Sequence, residues 1–297
     1  MTFELFLQHF ANGISLGSLY ALIAIGYTMV YGILRLINFA HGDIFMLSTY
    51  IVIYGILIFN LHWTVAFLLS IIITGLIGVL IEKAAYKPLR NAPRISLLIS
   101  AIGISFFIQN LGLVVFTGRP KTFPRPEIFS AMNDFGGIKI MNLTFIIPAV
   151  AIILLSLLMY LVTKTKLGMA MRAVSKDFET SGLMGIDVDR VISYTFLIGS
   201  LLAAVGGIMY GLKFPRIEPL MGTMPGLKCF IAAVVGGIGN IPGAMIGGML
   251  LGLAEILIVA FMPSLSGYRD AFAFIALILI LLIRPTGIMG EKMTEKV

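Results

Sequence analysis

From Ile44 to Ile81 the chain reads IFMLSTYIVIYGILIFNLHWTVAFLLSIIITGLIGVLI, 38 consecutive residues without one Asp, Glu, Lys or Arg. As a single helix this stretch would be about 57 Å long, almost twice the roughly 30 Å of a bilayer's hydrocarbon core. Asn60-Leu61-His62, followed by Trp63, places a polar and aromatic turn near its middle, the composition of a membrane–water interface. The stretch therefore predicts two crossings joined by a tight turn. Charge-free runs recur at 5–34, 95–116, 140–163, 191–212, 229–254, 256–268 and 271–283. The 297 residues are 59% hydrophobic and 12% charged, with a mean hydropathy of +1.03. Soluble domains carry roughly 45–50% apolar and about 25% charged residues, so an ordinary soluble fold is excluded.

The run at 229–254 differs from the others, because Gly236-Gly237-Ile238-Gly239-Asn240 and Pro242-Gly243 fall inside it and no helix continues through such a cluster. It predicts a short helix at 225–235, a break, and a span at 242–261, with a last span at 269–284 closed by Arg284-Pro285. The expected fold class is all-α: a polytopic membrane helix bundle of about eight transmembrane helices plus one short or broken segment, forming a single transmembrane domain over 1–297. The N-terminal run lacks a basic region and far outlasts a signal-peptide core, so it reads as the first span. No internal repeat is visible in the sequence. Grouping the loops 83–94 and 163–190 with the C-terminus puts 13 basic residues on one face, Lys292 and Lys296 among them, against 8 on the other. The basic face is expected to be cytoplasmic, with the N-terminus outside. The net charge of +7 fits loops facing anionic membrane lipid rather than nucleic acid. The single cysteine, Cys229, cannot form an internal disulfide, and no Cys/His cluster has metal spacing.

Strong polar groups inside a bilayer are costly, which makes each a candidate for a translocation pathway. They are Asn12 in the first run, Asn38, His41 and Asp43 between the first two, Gln109 and Asn110 in the fourth span, and Glu255 after the glycine break. Gly236, Gly237 and Asn240 join them, since irregular backbone at this depth needs protein or a water-filled cavity to satisfy it. Glu255, Gln109 and Asn110 would serve equally as helix-to-helix hydrogen bonds, and His41 and Asp43 as an interfacial turn. Gly13-Ile14-Ser15-Leu16-Gly17 matches a nucleophile-elbow pattern, but in a membrane helix its glycines serve close packing.

The segment Lys166–Arg190 is the longest patterned polar stretch. Met171, Val174, Phe178 and Met184 alternate at helical spacing with Arg172, Lys176, Asp177 and Glu179, and Gly182 and Gly185 can end the helix. It fits either a surface offered to a partner or a helix lying on lipid headgroups. No nucleotide-binding Gly-x4-Gly-Lys-Ser/Thr loop occurs in the sequence. A driving force would therefore come from a partner.

Five blocks of residues carry a resemblance that covers nearly the whole chain. They are Asn12-Gly13 through Gly26; Ile37-Asn38-Phe39-Ala40-His41-Gly42-Asp43; Gly168 to Arg190; Lys228 to Ala244 with Gly252–Glu255; and Pro285-Thr286-Gly287-Ile288. Together they resemble the permeases of branched-chain amino acid ABC importers, of the LivH type. The resemblance implies inward transport of branched-chain or related hydrophobic amino acids by ATP-driven alternating access. It implies a multi-pass protein of a bacterial or archaeal cytoplasmic membrane with no cofactor of its own, ATP being bound by partner subunits. The partners it implies are a second, LivM-type permease, two ATP-binding cassette subunits, and a periplasmic or lipid-anchored substrate-binding protein. It makes 163–190 a cytoplasmic coupling loop, with Gly168, Met171, Arg172, Ala173, Val174, Glu179, Leu183, Met184, Gly185 and Ile186 on the coupling surface. Met171, Val174 and Leu183 are expected to enter a groove on the ATPase, flanked by Arg172 and Glu179. Thr180-Ser181-Gly182 departs from the alanine-rich pattern of that family. The alternative is a stand-alone secondary transporter or channel for small neutral solutes.

Overall fold

The computed structural model describes residues 3–90, 92–135 and 138–290. Lys292 and Lys296, and with them part of the charge count above, lie outside the described residues. Helix α1 (Phe3–Leu34) runs from what we term the N-terminal face to the opposite, loop face. The chain turns back through residues 35–40, and α2 (His41–Leu57) begins beside residues 26–27 of α1, where the His41 and Tyr27 rings pack at 4.6 Å. That start lies about 12 Å short of the end of α1. After Asn60, whose φ of 49° makes the sharp turn, α3 (Trp63–Ile81) returns to the loop face. A π-helical turn (Glu82–Tyr86) and a 3-10 turn (Lys87–Leu89) lead to α4 (Arg94–Phe116).

Short elements follow on the N-terminal face: β1 (Lys121–Thr122), α5 (Glu127–Ser130) and a two-stranded antiparallel ladder of β2 (Met132–Phe135) with β3 (Ile138–Met141). Helix α6 (Leu143–Lys164) crosses to the loop face and is followed there by α7 (Lys166–Lys176) and α8 (Phe178–Leu183). Helix α9 (Val188–Lys213) crosses back, and β4 (Arg216–Ile217) pairs with β1. Then come α10 (Thr223–Gly236), α11 (Ile241–Phe261), a 3-10 turn (Pro263–Tyr268) and α12 (Arg269–Ile283).

The expected all-α membrane bundle is what is observed. The turn at 60–62 and the break after residue 236 fall where the sequence places them. Among the described residues, seven helical stretches are long and apolar enough to cross a bilayer, namely those containing α1, α3, α4, α6, α9, α11 and α12. Helix α2 is a correction. Read from sequence as a full crossing, it has 17 residues, about 26 Å, and starts inside the bundle. Helix α10, with 14 residues, is the second short apolar helix.

The two short helices meet end to end. Gly42 in the first turn of α2 lies so close to Gly222 and Gly226 at the start of α10 that a Cβ on any of the three would strike the opposing backbone. Two triplets are thus laid out alike: long α1, short α2, long α3, and long α9, short α10, long α11. They run in opposite senses, because Gly26 and Ile23 of α1 face Gly199 and Gly206 of α9 respectively. This is the architecture of inverted repeats built around broken helices, and no sequence similarity announces it.

Helix α1 forms the centre and is almost wholly buried, while α4, α6 and α12 bury little of their surface. Its contact with α11 runs through Gly17, Gly248 and Gly252, where the backbones leave no room for a side chain. Gly17 is one of the two glycines whose spacing in α1 predicts close packing. At the other end of α10, Ile288 and Met289 donate their N–H groups to the carbonyls of Val235 and Gly236, each at 2.9 Å. The last carbonyls of a helix have no internal partner, and here the chain end supplies one.

Candidate functional site

Three groups of residues stand out from this scaffold. The first lies where α2 and α10 meet. Asp43 is 2% exposed, and its carboxylate accepts hydrogen bonds from Ser105 Oγ at 2.5 Å and Gln109 Nε2 at 3.0 Å, both on α4. No cation among the described residues pairs with it. The charge sits instead in the first turn of α2, where the helix dipole favours an anion. Asn38, in the segment that turns back from α1, accepts from Tyr86 OH at 2.9 Å, so the π turn after α3 is tied to the same place. His41 is buried against Tyr27. Asn38, His41, Asp43 and Gln109 are therefore brought together, and Asn110 is not. Its side chain is exposed and donates to Phe106 O of its own helix.

The second group is ionic. Glu255 of α11, 6% exposed, accepts from Lys228 Nζ at 3.0 Å and from Tyr20 OH at 2.8 Å. Lys228, 7% exposed, also meets Asp270 at 2.6 Å, and Arg269 lies 3.9 Å from Glu255. Helices α10, α11 and α12 are thus joined by matched charges, and α1 is tied to them by the Tyr20 hydroxyl. Buried pairs of this kind stabilise little as a whole, but removing one partner strands the other. Lys228 is a functional candidate that sequence reasoning missed, since it reads there as a loop cation.

Gly236, Gly237 and Asn240, expected on a pathway, form structure at the loop face. Asn240 Oδ1 accepts from Gly243 N and caps α11, while its Nδ2 donates to Met289 O. Gly237 has φ 109°, a backbone that glycine adopts without strain. Asn12 stands apart from both groups, near the N-terminal face, and accepts from Thr144 Oγ1 at 3.4 Å. On that face Arg125 donates to the carbonyl of Lys213 and so satisfies the end of α9, and burial lowers its guanidinium from the ordinary range.

The third group is the 166–186 segment. Thr165 caps α7 by accepting from Gly168 N, and Asp177 caps α8 by accepting from Glu179 N and Thr180 N. Gly168 fits because a Cβ there would strike the carbonyls of Leu161 and Val162, onto which α7 folds back. Met171 and Val174 are buried at 4% and 0%, on a helix that packs against α6, α1 and α9. This revises the expectation that they enter a partner's groove: they anchor the segment to its own bundle. Arg172 is likewise tied inward, through Val162 O. Ala173, next on α7, is half-buried. Leu183 and Met184 are 84% and 79% exposed at the tip, beside exposed Phe178 and Glu179. Gly185, with φ 84°, and Ile186 close α8 by donating to Gly182 O and Ser181 O, the paired bonds of a Schellman stop. A clamp at the start of α9 steadies the segment. Arg90 bridges Glu82, which is fully buried, to half-exposed Asp189; Lys87 meets Asp189 at 2.8 Å, and Ser193 donates to Glu82.

Residues 9–282 match the family described as branched-chain amino acid transport system / permease component. The chain belongs to this family. It is 43% identical over 308 aligned residues to the high-affinity branched-chain amino acid transport system permease protein BraD of Pseudomonas aeruginosa, covering 98% of each chain. It is 42% identical to the permease protein LivH of Escherichia coli K12, covering 99% of each. An archaeal relative, the probable permease protein LivH of Methanocaldococcus jannaschii, is 30% identical across 92% of this chain and 89% of its own. The chain is thus a multi-pass membrane permease, a component of a multi-subunit transport system.

Proposed function

We propose that this permease carries branched-chain or similarly hydrophobic amino acids inward, driven by ATP that partner subunits bind and hydrolyse. The observation that carries the proposal is the asymmetry of the 166–186 segment. One side, Met171 and Val174, is fixed in the bundle, and the tip, Leu183 and Met184, stands free. A rigid lever with an exposed apolar end suits a partner's groove. Its attachment through α7 and the Arg90 clamp lets a push on the tip move α9 and the α2–α10 junction as a body. The loop face is then cytoplasmic, in keeping with its excess of basic residues. The partners in this reading are a second permease of the LivM type against the thinly covered helices, two ATP-binding cassette subunits below, and a substrate-binding protein above. The full-length likeness to named branched-chain amino acid permeases supports the choice of cargo.

The test is reconstitution of the purified assembly with leucine uptake measured against ATP hydrolysis. Leu183→Asp should leave yield and monodispersity unchanged, because the side chain is 84% exposed. Uptake should fall roughly a hundredfold, as when an interface anchor is lost. Leucine accumulation by the chain alone in ATPase-free vesicles under an ion gradient would instead establish a secondary transporter.

A further inference from the structure

A cavity of about 280 Å³ opens on the N-terminal face between α1, the β2–β3 ladder, the start of α6 and the end of α9. At its floor Lys213 Nζ donates to Ser15 Oγ at 2.7 Å. Ser15 is 0% exposed and sits twelve residues into α1, about 18 Å along that helix. No acidic side chain among the described residues pairs with Lys213. An ammonium group has three donors, and one of these is taken. A long cationic side chain near a helix end usually reaches out to the headgroups. This one is half-buried and held instead against a buried hydroxyl, with no carboxylate beside it to match its charge. The cavity thus carries an unmet demand for an anion.

The remaining walls narrow what that anion belongs to. Gln8 spends its Nε2 on the carbonyl of Lys139 at 3.0 Å, which leaves its Oε1 to accept, and Asn12 keeps its amide nitrogen to donate. Ile140 and Leu143 present hydrocarbon beside these groups. A cationic floor, an amide acceptor and an aliphatic wall in a small-molecule volume fit a short zwitterion with a hydrocarbon side chain. We propose that this cavity is a binding subsite for one small apolar amino acid, its carboxylate on Lys213 and Ser15 and its side chain against Ile140 and Leu143. The proposal rests on the transport reading above and adds to it a stopping place on the substrate-entry face. It also gives a use to Ser15, whose sequence motif has no catalytic setting.

The experiment is equilibrium binding of labelled L-leucine to the permease assembly in phosphatidylcholine nanodiscs, without the substrate-binding protein. Lys213→Met should weaken binding roughly tenfold or more, the effect of losing a charge-assisted contact. Lys121→Met, on the same face and held on Tyr54 outside the cavity, should leave it unchanged. If Lys213→Met does not fold, competition on the unaltered protein decides: isovalerate should displace leucine and leucinamide should not. Equal displacement by leucinamide, or full leucine binding by Lys213→Met, overturns the proposal. So does a Lys213-dependent retention of phosphatidylglycerol with no leucine binding, which would make the cavity a lipid site. ATP-driven leucine uptake by the unaltered assembly is measured in parallel. Uptake without Lys213-dependent binding removes the subsite alone, whereas absence of uptake removes the transport reading.

Discussion

Two of the buried carboxylates of this membrane protein, Glu255 and Asp43, are held in opposite ways. Glu255 is matched by Lys228, with Tyr20 and Arg269 in reach. Asp43 has neutral partners, Ser105 and Gln109, and the start of a helix. A matched charge pair locks its elements together, because separating the ions inside a low dielectric is expensive. A carboxylate held by neutral donors can exchange them for others at smaller cost. The difference assigns Glu255 to the frame, and Asp43 to the junction of two short helices where rearrangement is affordable.

Breaking the frame should give the largest effect. Lys228→Met leaves Glu255 buried without its nearest cation and should destabilise the protein by about 3–5 kcal/mol. Adding Glu255→Met should restore most of that in a thermal unfolding series in detergent. A single variant as stable as the parent would contradict the lock. Asp43→Asn removes a charge that no cation shares, so its effect on stability is expected to be smaller, about 2 kcal/mol. Uptake should nevertheless fall roughly tenfold, within the usual range of coupling energies. Unaltered uptake would place Asp43 with Glu255 in the frame. The smallest change is Ser105→Ala, which deletes one of two donors to Asp43 and should cost about 1 kcal/mol. The same loss of uptake in this variant would show that the hydrogen-bond geometry, rather than the charge, is what the junction uses.

Much of the fold is legible in the sequence because charges are excluded from hydrocarbon and glycine clusters stop helices. The Asn60 turn and the interruption after Gly236 follow from those two rules. The short α2 does not, because a charge-free run records only that a segment is apolar, not where it starts in the bilayer. The Lys228–Glu255 pair spans 27 residues and a break in the helix, and Ser15 and Lys213 lie 198 residues apart. No local period can bring such partners together. The buried side of α7 was equally hidden, since an amphipathic pattern shows that one side is apolar without saying whether the protein itself or a partner covers it. The ladder β2–β3 could have been found: Gly136-Gly137 between two short runs is a hairpin signal.

The bonds from Ile288 and Met289 to Val235 and Gly236 have a consequence for biogenesis. As α10 is synthesised, the last two carbonyls of its closing turn, Val235 and Gly236, stand without these donors, which are encoded about 50 residues downstream. Polypeptide cut after Ile283 should therefore leave that turn open to proteases even with every crossing in place. This half of the permease is completed backwards, from its own tail.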